Sequence, residues 1–446
     1  MTDTKCFDGV ADVFSLDYEG RGVARVHGKT VFIKGALPTE KVSFRVLREK
    51  KQFSEAETVE VLKESVERVR PACGYYETCG GCSLQHVSPT AQVALKQRIL
   101  EEQLERIGRV RPEQILPPIY GSAWHYRDRA RLSVSVDKKG RLKMGFQAKK
   151  TNEVVDIETC QVLPKHISDV LPMVKLLLQT LSDGGAAVRF VEFFNSRALV
   201  VLNICFIKKP SGYSLKQIET WFDKISGGVK QVWQVWQVWF QYGREPSTAL
   251  YPKDLPELKY GLPEFSIEMP YQPGDFTQIN ADLNAVMISR ALRLLDIQPN
   301  DRVADLFCGL GNFSLPMAKS GASVTGIEGL DSLVLRARQN ALRNSCVKYA
   351  SFEVADLFET DEQTVASWGV FDKMLLDPPR SGAYAVVKSL HAPYLPKKIV
   401  YVSCNPSTFA RDAEVLVNKG YNFKSAGIMN MFAQTSHVES IGVFEL

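Results

Sequence analysis

Arg302-Val-Ala-Asp-Leu-Phe-Cys-Gly-Leu-Gly-Asn-Phe313 decides the fold class. An apolar strand ends near Asp305, and two glycines, Gly309 and Gly311, come before a helix start at Phe313–Lys319. Glycines at such a turn let the backbone approach a ligand resting over the helix N-terminus. Outward from this loop, strands read at Val303–Phe307, Ser323–Ile327, Phe371–Leu376 and Lys398–Ser403, and helices at Ser332–Leu342 and Pro406–Val417. Alternation at this spacing means a parallel sheet with crossover helices, a Rossmann-like α/β domain. Gly420–Phe432 and His437–Phe444 read as two strands closing the sheet edge.

The loop also narrows the ligand. Ser314 stands where a dinucleotide fingerprint has its third glycine, which speaks against NAD. The acid four residues before Gly309 favours a cofactor with a free amino group, and we expect S-adenosylmethionine. Glu328 ends the next strand, placed to accept hydrogen bonds from two ribose hydroxyls, and Asp356 follows the third, near the adenine or ribose edge.

Leu376-Asp377-Pro-Pro-Arg380 ends the fourth strand and Tyr401-Val-Ser-Cys404-Asn-Pro406 the fifth, so both reach the ligand crevice. An acid before Pro-Pro alone would suit methylation of an amino group, but that chemistry leaves Cys404 idle. A pyrimidine C5 is a poor nucleophile until a thiolate adds at C6 and pushes electron density onto it. A base must then remove the C5 proton so that the sulfur can leave. Cys404 is the candidate nucleophile, with a helix N-terminus beside it to favour the thiolate. Glu439 is the candidate base, and strand alternation puts it on the same face as His437. Asp377 can hold the N3–H or O4 edge. A carboxylate there serves uracil or cytosine, so these residues leave the base open; taken alone, Cys404 would read as a buried core cysteine.

Upstream, Val10–Leu62 reads as short strands joined by Gly and Pro turns, a small β-barrel. Ala91–Ile107 has helical periodicity, and Tyr126–Tyr260 is mostly strands with helical stretches at Ile167–Leu181 and Ser214–Ile225. Gln231–Trp239 repeats Gln-Val-Trp and has no functional reading. From Trp124 to Lys150 nine Lys or Arg stand against two Asp, which fits a phosphate-tracking surface or a solvated hairpin. Cys73, Cys79 and Cys82, with Cys160 as a distant fourth, satisfy either tetrahedral zinc or an iron–sulfur cluster. Spacing alone leaves zinc slightly favoured.

The ordered set Asp305–Phe313, Asp377-Pro-Pro-Arg380, Ser403-Cys404-Asn405-Pro406 and His437-Val-Glu439 resembles the RNA uracil-C5 methyltransferases over nearly the whole chain. The likeness is closest to the bacterial 23S rRNA branch that has both a TRAM barrel and an iron–sulfur cluster. It implies three units: residues 1–66, an OB-like TRAM barrel that binds RNA; 67–262, a mostly-β domain with a [4Fe–4S] cluster on Cys73, Cys79, Cys82 and Cys160; and 263–446, a class I methyltransferase domain. It implies Cys404 as nucleophile, Glu439 as base, and cofactor contacts from Gln278, Phe307, Asn312, Glu328, Asp356 and Asp377. Its implied partner is 23S rRNA, with tRNA as an alternative; a binding protein without catalysis would leave the motif set unexplained.

The chain has 446 residues, 45% hydrophobic and 24% charged, with a net charge of +5, an ordinary balance for a soluble multi-domain protein. No apolar run reaches membrane-span length and Met1–Val10 lacks a signal-peptide core, so we expect a cytoplasmic protein with no membrane partner. Nine cysteines in such a chain argue for metal or thiol chemistry over disulfides, and a monomer is the simplest state.

Overall fold

The computed structural model describes residues 8–196, 199–228, 235–255 and 257–446. Five strands, β1 (Asp8–Leu16), β2 (Gly22–Val26), β3 (Lys29–Lys34), β4 (Lys41–Glu49) and β5 (Phe53–Lys63), close into a barrel of order β1-β2-β3-β5-β4. Alternate residues point inward, so Val13, Ala24, Val31, Ile33, Val42, Phe44 and Ala56 make one small core. Closure leaves no edge to pair with another chain.

Helix α1 (Pro89–Gln103) starts on Ser88, whose hydroxyl accepts from Ala91 N at 3.3 Å, with Pro89 at the first helical position. A π-helical turn, Leu104–Gly108, ends it. At its start Ala91 and Leu95 pack with Leu16 and Leu37 of the barrel. Val93, Ile99, Leu100 and Leu104 share a core with Leu306, Tyr401 and Phe409 of the C-terminal domain. The short β6 (Gln114–Ile115) pairs with residues Ser425 and Ala426 of that domain. Sequence periodicity shows a helix but not its partner, and here the partner is remote in the chain.

The central sheet contains β7 (Arg129–Val136), β8 (Leu142–Gly145), β9 (Val188–Asn195), β10 (Leu199–Phe206), β11 (Val235–Tyr242) and β12 (Thr248–Tyr251), in the order β12-β11-β10-β9-β7-β8. Helices α2 (Lys165–Asp183) and α3 (Gly212–Gly228) share its core through Leu171, Leu178, Ile218 and Phe222. Of the tryptophan repeat, Gln231–Gln234 lie outside the described residues, and the rest falls on β11, parallel to β10 with Val238 in the core. Three of the nine basic residues are paired with acids of the same domain. Arg129 and Arg131 both face the buried Glu192, at 3.8 and 2.9 Å, and Arg141 pairs with Asp137 at 2.8 Å. A hairpin of β13 (Lys259–Leu262) and β14 (Ile267–Pro270) leads into the last domain.

That domain runs α4 (Ala281–Leu295), β15 (Arg302–Leu306), α5 (Ser314–Lys319), β16 (Ser323–Glu328), α6 (Asp331–Arg343), β17 (Ala350–Val354), α7 (Glu362–Trp368), β18 (Lys373–Leu376), α8 (Tyr384–Ser389), β19 (Lys398–Ser403), α9 (Pro406–Asn418), β20 (Asn422–Met429) and β21 (Glu439–Glu445). Its sheet has the order β17-β16-β15-β18-β19-β21-β20-β6. The strands from β17 to β19 are parallel and β21 runs antiparallel between β19 and β20. The chain reverses direction of winding between β15 and β18, a switch point where a crevice opens at the strand C-termini. The closing strands are shorter than their apolar runs suggested: β20 stops at Met429, and His437 lies before β21, in a loop.

Candidate active site

Sheet geometry brings the expected residues to one edge. Phe307, Glu328, Asp377 and Cys404 stand at or just past the C-terminal ends of β15, β16, β18 and β19, and Asp356 two residues beyond β17. Because β21 is antiparallel, its first residue reaches the same edge. Ser403 pairs with Ser440, so the next step in register sets Glu439 opposite Cys404. The strand alternation expected to put His437 and Glu439 on one face does not hold: Glu439 is the first residue of β21, and His437 stands in the loop before it.

Cys404 sits between the end of β19 and the cap of α9. Asn405 is that cap: its Oδ1 accepts from Ser407 N at 3.0 Å, while its Nδ2 donates to Arg380 O at 2.9 Å. Thr408 Oγ1 donates to the same carbonyl at 3.2 Å. One amide thus starts the helix and ties the Asp377-Pro-Pro-Arg380 loop to it. The Arg380 guanidinium lies 3.2 Å from the His437 ring, which packs edge-on to Phe432.

Cys404, Asp377 and Glu439 feel one another. Burial first, then the Glu439 and Asp377 carboxylates, push the Cys404 thiol up to about 12, against a downward pull from Arg380. The helix N-terminus does not produce a standing thiolate here, because desolvation and two carboxylates outweigh it. Burial lifts Asp377 to about 7, and burial with the Asp377 charge holds Glu439, 2% exposed, well above the usual carboxylate range. Burial, with Arg380, Lys96 and Arg127 nearby, lowers His437 to about 4, so it is neutral at physiological pH.

The glycine loop forms a cradle. Phe307, Gly309 and Gly311 all adopt positive φ (63°, 56° and 93°), and a Cβ built on Gly309 would project into open space. Glu328 accepts from Gly309 N at 3.1 Å and from Leu330 N at 3.2 Å. Beneath the loop Asp305 is fully buried; Ser314 Oγ donates to one of its oxygens while the other has no hydrogen-bond partner. Burial lifts its carboxyl to about 7. An orphaned buried oxygen below an open cradle fits a ligand with an amino group. Exposed Phe358 stands beside half-buried Phe307 with ring centroids 5.6 Å apart, an apolar surface of the kind an adenine takes. Asp356 is exposed and accepts from Phe358 N at 2.9 Å.

Two expected contacts are set in a network that local sequence did not show. Asn312 and Asn284 exchange two amide hydrogen bonds at 3.0 Å, and Tyr260 OH donates to Asn312 Oδ1 at 2.7 Å. Gln278 lines the same small cavity as Tyr260 and Asn284. Asn284, on α4, reads as an ordinary helix residue; only the fold reveals that it fixes Asn312.

Cys73, Cys79, Cys82 and Cys160 all line one cavity with Tyr75, Gln85 and Phe146. Gly81 N donates to Cys79 Sγ at 3.4 Å, and burial raises the Cys79, Cys160 and Cys82 thiols, the last to about 12, with neighbouring sulfurs adding to each. Among the described residues no three His, Cys, Asp or Glu side chains are grouped so as to hold a metal ion. Cys205, Cys308 and Cys346 are buried elsewhere, and Cys6 lies outside the described residues.

A Rossmann-like sheet with a reversed strand beside β19, a glycine cradle and an acid lining define a class I methyltransferase fold. The tRNA (Uracil-5-)-methyltransferase family matches residues 262–445 and the TRAM domain residues 11–59. A 23S rRNA (uracil(1939)-C(5))-methyltransferase of Neisseria lactamica is 63% identical over 98% of this chain and 95% of its own length. One from Chromobacterium violaceum is 48% identical over 98% and 84%. The chain belongs to the RNA uracil-C5 methyltransferase family. Its fold is also that of the Pyrococcus abyssi tRNA (uracil-54, C5)-methyltransferase solved with S-adenosyl-L-homocysteine (TM-score 0.70, 23% identity, 98% of this chain and 100% of that one).

Proposed function

We propose that this protein methylates C5 of a uridine in 23S rRNA, at the position equivalent to the uracil named for its relatives, using Cys404 as nucleophile and Glu439 as base. The observation that supports this most is the register that sets Glu439 opposite Cys404, with Asp377 close enough to raise the proton affinity of both. S-adenosylmethionine, when bound, supplies an electrophilic methyl group. Gln278, Phe307, Asn312, Glu328, Asp356 and Asp377 would hold it, with Gly309 and Gly311 admitting it to the backbone.

Ionised Asp377 can take the Cys404 proton as sulfur adds to C6, and the carboxyl so formed can donate to the O4 where ring charge develops. Asp377, lifted to about 7, is partly protonated at neutral pH and can accept from N3–H or donate to O4. After C5 is methylated, Glu439 takes its proton and the C6–S bond breaks, restoring the thiol site and the aromatic ring. A buried carboxylate with raised proton affinity suits that step better than His437, whose affinity is lowered.

For the target, identity across full-length 23S rRNA relatives favours rRNA over tRNA. A groove of about 980 Å³ between barrel and central domain, with Arg21, Lys34, Arg68 and Lys149 among its walls and Phe32 and Tyr76 beside them, suits a folded RNA backbone. The four cysteines around one cavity would hold the [4Fe–4S] cluster that the family resemblance implies, and iron, zinc and sulfide analysis of anaerobically purified protein tests that. Supplying labelled adenosylmethionine and undermodified 23S rRNA, then mapping the product, tests the activity. We expect one 5-methyluridine with the wild type and none with Cys404→Ala, which should still bind the methyl donor. Label in cytidine, or in tRNA alone, would overturn the assignment.

A further inference from the structure

Loop 430–438, between β20 and β21, delivers His437 and Glu439 to the site, and it is held from both sides by residues far away in the chain. From one side comes α1. Gln92 and Lys96, one helical turn apart and both 0% exposed, face the loop together. Gln92 Nε2 donates to Gln434 Oε1 at 3.0 Å and Gln92 Oε1 accepts from Gln434 N at 2.9 Å. Lys96 Nζ donates to Asn430 Oδ1 at 2.7 Å and to Phe432 O at 2.9 Å. From the other side, Ser83 N and Leu84 N donate to Gln434 O at 2.9 and 3.0 Å, and Ser83 Oγ accepts from Ser436 N at 2.8 Å. Tyr126 OH donates to Ala433 O at 2.8 Å.

At the middle of this clamp Gln434 has φ of 66°, a left-handed conformation that a long side chain adopts only when its surroundings enforce it. A fully buried lysine is also costly, and this one spends its ammonium on Asn430 Oδ1 and Phe432 O of the loop. A simple cover for the sheet would need neither a buried ammonium nor a strained glutamine. We infer that Gln92 and Lys96 are positioning residues for the base: they pin the strained Asn430–Gln434 stretch so that Glu439 is held at the C5 proton of the substrate. This rests on the reading of Glu439 as base. Ser83, next to Cys82, makes the four-cysteine segment the opposing jaw.

The pinned step is proton removal, after sulfur addition and methyl transfer. Loosening the clamp should therefore leave the first bond-forming step intact and delay release of the enzyme from methylated RNA. The test uses full-length protein with 23S rRNA and labelled methyl donor, comparing Lys96→Met, Gln434→Gly and Glu439→Gln with wild type. Lys96→Met deletes both donors in similar volume. Gln434→Gly relieves the strained φ and deletes the side-chain bond from Gln92 Nε2 while Gln434 N still donates to Gln92 Oε1, so it folds even if Lys96→Met does not. For each, kcat and KM per folded enzyme are measured together with the fraction of enzyme trapped on RNA in denaturing gels.

We expect kcat to fall roughly 10- to 100-fold for Gln434→Gly, the scale of an ångström-level misplacement, with KM for RNA near wild type and a larger trapped, methylated fraction. Wild-type turnover, or slow turnover without added trapping, would overturn the positioning role while a trapped Glu439→Gln leaves the base reading standing. Normal turnover by Glu439→Gln would remove the base reading, and the inference with it.

Discussion

Asn405 performs two jobs with one side chain, and substitution can separate them. Replacing it with alanine removes the cap on Ser407 N and the donor to Arg380 O. The cap contributes about 1 kcal/mol. The second bond contributes about 1 kcal/mol more, because Thr408 is the other donor to that carbonyl and stands farther off, at 3.2 Å. A loss of roughly 2 kcal/mol, with an m-value of about 2 kcal/mol/M, lowers the urea midpoint of the domain's transition by about 1 M. Asn405→Asp keeps the cap but not the donor, and adds a third carboxylate beside Cys404. Its stability loss should be about half that of alanine. Its turnover at neutral pH should nevertheless be the lower of the two, recovering as pH rises, since another negative charge pushes the thiol still higher. The assay pairs urea unfolding with single-turnover methyl transfer across pH. Asn405→Ala with an unchanged midpoint and wild-type rate would refute the reasoning, and so would an Asp variant faster than Ala.

Burial lifts Asp305 from 3.8 to about 7, so its contribution to stability is present below about pH 4 and lost as pH rises through about 7. Asp305→Asn should accordingly raise the thermal midpoint at pH 8, lose that advantage at pH 4, and bind the methyl donor more weakly; calorimetry and titration check this. The Arg380 guanidinium pulls the Cys404 thiol down, so Arg380→Gln should shift the rising limb of the single-turnover pH–rate profile to higher pH, with the largest loss of rate near neutrality. An unshifted limb would show that the guanidinium does not tune the sulfur.

The parallel sheet was readable because buried strands are continuous apolar runs and the Gly309–Gly311 turn announces a crevice. Cys404 and Glu439 were readable as residue types at strand ends, but their opposition depends on β21 entering antiparallel, which pairing alone decides. The thiol's state was misread for the same reason. A helix N-terminus is visible in Asn405-Pro406, whereas the carboxylates that overrule it come from two other strands. Helix α1 showed its apolar face without showing that Leu306 and Phe409 would cover it. Nothing local to Gln92, Lys96 or Gln434 distinguishes a buried polar side chain from a solvated one. Likewise the nine basic residues from Trp124 to Lys150 suggested a phosphate track or a solvated hairpin, while Glu192, distant in sequence, pairs with two of them.

The central claim is a bond between Cys404 and a pyrimidine ring. RNA carrying 5-fluorouridine at the target offers the most direct measurement, because a base can remove a proton from C5 but cannot remove fluorine in that way. Incubated with enzyme and methyl donor, such RNA should give a one-to-one covalent complex that survives denaturant, with the nucleotide found by mass spectrometry on the peptide containing Cys404. Attachment to a different residue, or methylation of ordinary RNA by Cys404→Ala, would contradict the account.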